Sequence, residues 1–385
     1  MINVLLEEEL ETFRQKGLIR KLRTLSDCRG THAFLEGREL ILFCGNDYLG
    51  LSHDPRVIEA AREALATQGV GAGAARLISG TTEFHTRLES ELAKWMSTER
   101  ALVFGAGYLA NLGVLTALAG EKDLVVMDKL SHASLIDGAR LSGATFRVFP
   151  HKNLSRLEEI LKSASGFRRR VIVTDAVFSM DGDRADLEGL VSLKERYDSL
   201  LIVDEAHALG IFGNRGSGLS EERGLENPID VRVGTLSKAL GVFGGFAAAS
   251  ETLIESLVNF SRPFIFATAP PPALAAAALK ALEILQSEPD LRKKLWQNVK
   301  GIGDRHLWGD RQTGVCSPII PIIIGDEKRT VEISERLLEK GILIPAIRYP
   351  TVPRGKARLR LTVSAAHTEA DLNQLFQALP EVFNG

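Results

Sequence analysis

The sequence predicts an α/β protein: a large, mostly parallel mixed sheet flanked by helices, followed by a smaller α+β carboxyl-terminal domain. Three observations predict it. Between about Phe43 and Pro263 short apolar runs alternate with stretches of helical periodicity, the pattern of a parallel sheet covered on both faces. After Pro272 the texture changes to long Ala-, Leu- and Lys-rich helical stretches and then to isolated strands. A chain of 385 residues, 45% hydrophobic and 25% charged, is long enough to bury one large core and a smaller one.

The elements follow in order. Leu5, Leu6, Leu10, Phe13, Leu18, Leu22 and Leu25 recur at helical spacing, which predicts an amphipathic helix over the first twenty-five residues. Strands are expected at Ala101–Phe104, Leu124–Met127, Phe146–Phe149, Val171–Thr174, Leu200–Val203 and Val231–Gly234. Further strands are expected at Ile319–Ile324, Ile342–Pro345 and Arg358–Val363, with helices after Glu327 and Thr368. The expected division is an amino-terminal helix with short strands over 1–42, a large domain over 43–280 and a small domain over 281–385.

A net charge of −2, with dispersed Lys and Arg, supplies no field to gather nucleic acid or an anionic membrane. Cys28, Cys44 and Cys316 are too scattered for a disulfide framework or a zinc site, so a reducing, cytoplasmic setting and no metal are expected. Three consecutive glutamates, Glu7 to Glu9, stand where an export signal would be basic. The longest apolar stretch, 270–285, is broken by three prolines, Lys280 and Glu283, so no membrane span is expected.

Several strands lead into residues that carry chemistry. Leu200-Leu-Ile-Val-Asp204-Glu-Ala-His207 is an apolar strand closed by a carboxylate. In an open α/β sheet, strand carboxyl ends point into the ligand crevice. Asp204 there would be costly unless it met a cation or donors; the plainer reading is a helix cap. Val233-Gly-Thr235-Leu-Ser-Lys238 sets a lysine among glycines and hydroxyls. Enclosure favours a neutral, nucleophilic amine able to form a Schiff base, against the alternative of a solvated surface lysine. Phe104-Gly-Ala-Gly107-Tyr108 joins a strand to a helix whose first N–H groups could receive a phosphate, or needs glycine for geometry alone. His132 follows the next strand, where it could stack on an aromatic ligand or simply be a hydrogen-bonded histidine. Gln68-Gly-Val-Gly-Ala-Gly73 follows a helix rather than a strand and lacks the third glycine at the right spacing, so it is no dinucleotide fingerprint, and a nicotinamide-dependent oxidoreductase stays only as a disfavoured alternative.

Taken together, Gly45-Asn-Asp-Tyr-Leu-Gly-Leu51, Leu130-Ser-His-Ala-Ser134, Val177-Phe-Ser-Met-Asp-Gly182, Asp204-Glu-Ala-His207 and Gly234-Thr-Leu-Ser-Lys-Ala-Leu-Gly241 resemble the α-oxoamine synthases. These are fold-type I, pyridoxal-phosphate (PLP) dependent acyltransferases that condense an amino acid with an acyl thioester and release carbon dioxide. The resemblance runs from about Arg20 to Asp371. Ala346-Ile-Arg-Tyr-Pro-Thr-Val-Pro353 and Ala357–His367 are most similar to the members that join L-alanine to a pimeloyl thioester in biotin synthesis. Asp175-Ala176 departs from the usual acid-glycine pair, and Tyr349 stands where proline is frequent.

The resemblance implies Lys238 as the lysine holding PLP, Asp204 as partner of the ring nitrogen, His207 of the phenolic oxygen, and His132 stacked on the ring. It implies Gly107, Tyr108, Ser179 and Thr235 around the cofactor and its phosphate, with Thr268 reaching in from a partner subunit of a homodimer. Asn46 and Arg360 would hold the amino-acid carboxylate; Arg20 and Thr351 would contact substrate, the thioester carrier being coenzyme A or acyl carrier protein. The alternatives are glycine C-acetyltransferase (2-amino-3-ketobutyrate ligase) or another member of the family, and a non-catalytic PLP-binding protein.

Overall fold

The computed structural model describes residues 2–15, 18–20, 22–305 and 315–384. The chain divides into two compact units, Asn46–Leu295, and Met1–Gly45 with Trp296–Gly385; the sequence had suggested divisions at 42/43 and 280/281. The helix Pro272–Ser287 stays with the larger unit, where Ala273 and Ala276 pack on Ala64.

The amino-terminal helix is shorter than its periodicity predicts. It spans Ile2–Gln15 with no buried residue, and Leu18 N–H bonds the Phe13 carbonyl at 2.8 Å across its end. Residues 18–20 and 22–25 are not helical, and without an apolar surface to bury, periodicity alone does not carry the helix further. Lys16, Gly17 and Lys21 lie outside the described residues. An antiparallel meander follows, β1 (Ser26–Arg29), β2 (His32–Leu35) and β3 (Arg38–Leu42).

The larger unit is built on β4 (Arg100–Phe104), β5 (Leu124–Asp128), β6 (Thr145–Phe149), β7 (Arg170–Asp175), β8 (Leu200–Asp204), β9 (Val231–Thr235) and β10 (Gly245–Ala249). Their order is β4-β10-β9-β8-β7-β5-β6, and only β10 runs antiparallel to its neighbours. β5, β8 and β9 are buried almost end to end, which is why they read as unbroken apolar runs instead of alternating ones. The helix Gly107–Leu118 lies over this core through Ala110, Val114, Leu115 and Leu118. β10 escaped the sequence reading because Gly-Phe-Ala-Ala-Ala has almost no strand propensity. Its small residues fit a strand flanked on both sides: Ala247 and Ala249 are fully buried in the core.

In the other unit, β11 (Ile319–Gly325), β13 (Ala346–Ile347) and β14 (Ala357–Thr362) form an antiparallel sheet, while β12 (Ile342–Leu343) pairs in parallel with β3. Helices Glu327–Glu339 and Glu369–Asn384 complete this α+β unit. Among the described residues no helix is long and apolar enough to cross a membrane.

Candidate active site

Because β4, β5, β7, β8 and β9 run in one direction, their carboxyl ends share one edge of the sheet, and β10 begins there, Gly245 pairing with both Phe104 and Thr235. A cavity of about 140 Å³ opens at this edge. Its lining brings together Gly107, Tyr108, His132, Asp204, His207, Thr235 and Lys238 from separate strand ends, all named from sequence, and adds Asn111, Ser134 and Asp175.

Asp204 is buried, and its carboxylate is held rigid: Oδ2 accepts from Asn111 Nδ2 at 2.6 Å and Oδ1 from the Ala206 N–H at 2.8 Å. Asn111 Nδ2 also donates to Ser134 Oγ at 2.9 Å, and Ser134 Oγ lies 2.7 Å from His132 Nδ1. Asn111 and Ser134 therefore tie Asp204 to His132, a connection that no single motif announces. The Ser134 N–H also donates to His132 Nδ1, at 3.3 Å, which places the proton of a neutral ring on Nε2. Burial, together with the nearby Lys238 charge, lowers the His132 pKa against the opposing pull of Asp204, so the ring is neutral at pH 7.

Asp175 sits beside Asp204 in register on the neighbouring strand. Burial first and the Asp204 charge second push its pKa well up, while the His132 N–H donates to its Oδ2 at 3.0 Å. Beside Asp204, Asp175 thus favours the protonated form. His207 bonds the buried Tyr48 hydroxyl through Nδ1 at 2.8 Å, and that hydroxyl donates to Asn46 Oδ1 at 3.3 Å.

Lys238 is half-buried at the start of a short loop from β9 to β10. The loop is fixed by its own backbone and hydroxyls: Leu236 N–H to the Gly244 carbonyl at 3.0 Å, Gly241 N–H to the Lys238 carbonyl at 2.9 Å, and Thr235 Oγ1 to the Gly244 carbonyl at 2.9 Å. Gly241 takes φ +67° with its α-carbon facing Ser52, where an added Cβ would stand 2.3 Å from the Ser52 nitrogen. Glycine there is a packing requirement.

Opposite the loop, the helix Gly107–Leu118 presents its amino terminus to the cavity. A Cβ on Gly245 would lie 2.4 Å from the Gly107 nitrogen, and one on Gly107 would lie 3.2 Å from Thr235 Cβ. The glycines let the helix start approach β9 and β10 closely, leaving its first N–H groups for an anion. Gly245→Ala is expected to cost roughly 1–3 kcal/mol by overpacking and to weaken phosphate binding, both measurable by denaturant titration and cofactor titration of the same sample.

The remaining expected residues stand elsewhere. Ser179 lies in the turn after β7, outside the residues that line the cavity, and Thr268 is exposed, bridging Ala75. Arg20 and Thr351 line a separate cavity of the smaller unit with Leu18, Ile19, Arg23 and Tyr349, and Arg360 is a buried residue of β14 whose N–H bonds the Pro345 carbonyl at 3.2 Å. Among the described residues no group of His, Cys, Asp or Glu is placed to hold a metal.

The donor set fits PLP. A fixed, buried carboxylate suits a protonated ring nitrogen, a helix amino terminus with a neighbouring hydroxyl suits a phosphate, and a half-enclosed amine suits an aldehyde. Comparison with known proteins agrees. The family model for class I and II aminotransferases matches residues 38–379. The chain is 45% identical to an 8-amino-7-oxononanoate synthase of Symbiobacterium thermophilum over 98% of this chain and 97% of that one. It superposes on a serine palmitoyltransferase from S. paucimobilis with bound PLP–myriocin aldimine at TM-score 0.93 and 30% identity, covering 98% and 96% of the two chains. For the Francisella tularensis 8-amino-7-oxononanoate synthase the TM-score is 0.77 at 30% identity, covering 90% and 98%. With the site and these likenesses in agreement, the chain belongs to the class I and II aminotransferase family of PLP-dependent fold-type I enzymes, within the branch of the 8-amino-7-oxononanoate synthases.

Proposed function

We propose that this chain joins L-alanine to a pimeloyl thioester, carried on coenzyme A or acyl carrier protein, to give 8-amino-7-oxononanoate, carbon dioxide and the free thiol in biotin synthesis. The observation that carries the reading is the meeting of Lys238, Asp204, His207 and His132 in one cavity of a chain 45% identical to such a synthase.

Bound PLP supplies an electron sink for the charge that develops when the α-proton, and later carbon dioxide, leaves. Asp204, held by Asn111 and Ala206, keeps a proton on the ring nitrogen. Lys238 holds the cofactor aldehyde at rest and, once released, takes and returns the proton at the alanine α-carbon. Neutral His132 covers the ring and offers its Nε2–H to a substrate carboxylate or carbonyl oxygen. His207, positioned by Tyr48, hydrogen-bonds the phenolic oxygen. Gly107, Tyr108 and Thr235 surround the cofactor and its phosphate; from the motifs, Ser179 joins them from the loop after β7, and Thr268 acts on the partner's site in a cytoplasmic homodimer. From the motifs, Asn46 and Arg360 hold the alanine carboxylate, and Arg20 and Thr351 contact the acyl substrate.

Arg360→Ala is expected to raise the alanine KM about tenfold or more, the loss of one charged hydrogen-bond partner; an unchanged alanine titration removes Arg360 from the site. The reading as a whole is tested by titrating the purified holoenzyme with alanine, glycine and serine while following cofactor absorbance, then adding pimeloyl-coenzyme A and weighing the product. Alanine should perturb the spectrum and yield 8-amino-7-oxononanoate. A response to glycine or serine with none to alanine would assign the chain to a different condensation.

A further inference from the structure

His151 follows β6 and is not among the residues that line the cavity, yet it joins the turn that delivers His132 to the cavity to the loop that follows Asp175, the end of β7. Its Nδ1 lies 2.9 Å from Asp128 Oδ1 and its Nε2 lies 2.9 Å from Asp183 Oδ2, while its ring meets Phe178 edge-on at 4.4 Å. Asp128 ends β5 and shapes the turn beyond it: Oδ1 accepts the Leu130 N–H at 2.8 Å and the Asp128 carbonyl accepts the Ser131 N–H at 3.1 Å. The residue delivered by that turn is His132. Asp183 belongs to the loop after β7, whose bonds from Phe178 N–H to the Asp183 carbonyl at 3.0 Å and from Gly182 N–H to the Phe178 carbonyl at 2.8 Å enclose Ser179.

The neighbouring Lys152 reinforces the junction. It adopts φ +57°, a conformation unfavourable for a residue with a side chain. Its N–H is held by Asp128 Oδ2 at 2.8 Å, and its Nζ reaches Asp183 Oδ2 at 3.0 Å. An imidazole facing a carboxylate oxygen at each nitrogen makes two charge-assisted bonds only when both nitrogens are protonated.

We propose that His151 is a positioning residue: as a cation bonded to Asp128 and Asp183, it braces the turn that presents His132 against the loop that carries Ser179, and so sets how tightly the cofactor is held. The proposal rests on the site reading given above, in which both residues attend PLP. The charged groups facing the ring are Asp128 and Asp183, with Lys152 sharing Asp183. Burial disfavours the charged ring, but the bonds to the two carboxylates outweigh it and raise its pKa to about 9. Because the folded value exceeds the unfolded one near 6.5, the brace is complete below that lower value and is lost as pH rises through about 9.

The test compares PLP dissociation constants of the wild type and His151→Gln by absorbance titration from about pH 7 to about pH 10, since their ratio cancels every titrating group the two share. At neutral pH the variant should bind about tenfold more weakly, the size of one lost hydrogen bond to a charged group, and the gap should close toward pH 10. Apo-protein thermal midpoints should show the same closing gap without any cofactor present. Asp183→Asn loosens the brace from the other loop and should also weaken PLP binding. Equal dissociation constants at neutral pH, or a gap that stays constant to pH 10, would overturn the brace. A wild type that takes up no PLP would instead overturn the site reading on which it rests.

Discussion

Replacing Lys238 with alanine is expected to abolish turnover, by more than about 10⁴-fold, because in the proposed mechanism one amine both holds the cofactor aldehyde and moves the α-proton. The visible absorbance of the covalent link should vanish with it. The fold should survive, since the loop is pinned by bonds that do not involve the lysine side chain: Ser237 Oγ to the Gly244 carbonyl at 3.2 Å, Gly244 N–H to Ser237 Oγ at 3.1 Å, and Val242 N–H to the Leu236 carbonyl at 2.8 Å. Steady-state assay, absorbance and thermal melting of one preparation separate these effects. A Lys238→Ala protein that still turned over would remove the lysine from the chemistry.

Asp204→Asn is the second large effect, and it divides into two parts. Without a negative charge at the ring nitrogen the electron sink loses its proton, and turnover should fall by about 10² to 10⁴-fold. The side-chain amide, moreover, has one acceptor oxygen where the carboxylate has two, while Asn111 Nδ2 and the Ala206 N–H both donate to it. One donor therefore loses its partner, at a cost of about 1–3 kcal/mol. Against this, the buried Asp175 no longer faces the Asp204 charge that helps raise its pKa, a partial relief. Catalysis should thus suffer far more than stability, which kinetic assay and denaturant titration of the variant will show. Unchanged turnover with PLP bound would refute the pairing.

Much of this site is legible in the sequence. Apolar runs ending at Asp128, Asp204 and Thr235 read as buried parallel strands, and parallel strands deliver their carboxyl-end residues to one crevice. That geometry, with the resemblance of the motifs, grouped Asp204, His207, His132 and Lys238 from positions far apart in sequence. The coupling between them was not legible. Asn111 and Ser134 stood in plain view as a helix residue and a turn residue, but a bond from Asn111 to both Asp204 and Ser134 depends on the helix Gly107–Leu118 and the turn at His132 meeting over the same strand end.

Elsewhere local signals misled or fell silent. Leucine spacing extended the amino-terminal helix past Gln15, since periodicity reports a face but not whether anything covers it. β10 had no signal, because alanine and glycine describe crowding rather than extension. The grouping of the first strands with the carboxyl-terminal region was equally hidden: β3 and β12 pair across a separation of some three hundred residues, and no local pattern encodes a pairing at that range. Ser179 and Thr268 followed from motif position alone, and motif position does not say whether a residue faces the cavity of its own chain.

Lys238 is expected to carry the cofactor. Borohydride reduction of the PLP-loaded protein fixes that link covalently, and peptide mass mapping then locates it. The phosphopyridoxyl group should be found on the peptide containing Lys238 and on no other lysine. Its recovery on a different lysine, or on none, would contradict the assignment of the cavity at the carboxyl ends of the strands.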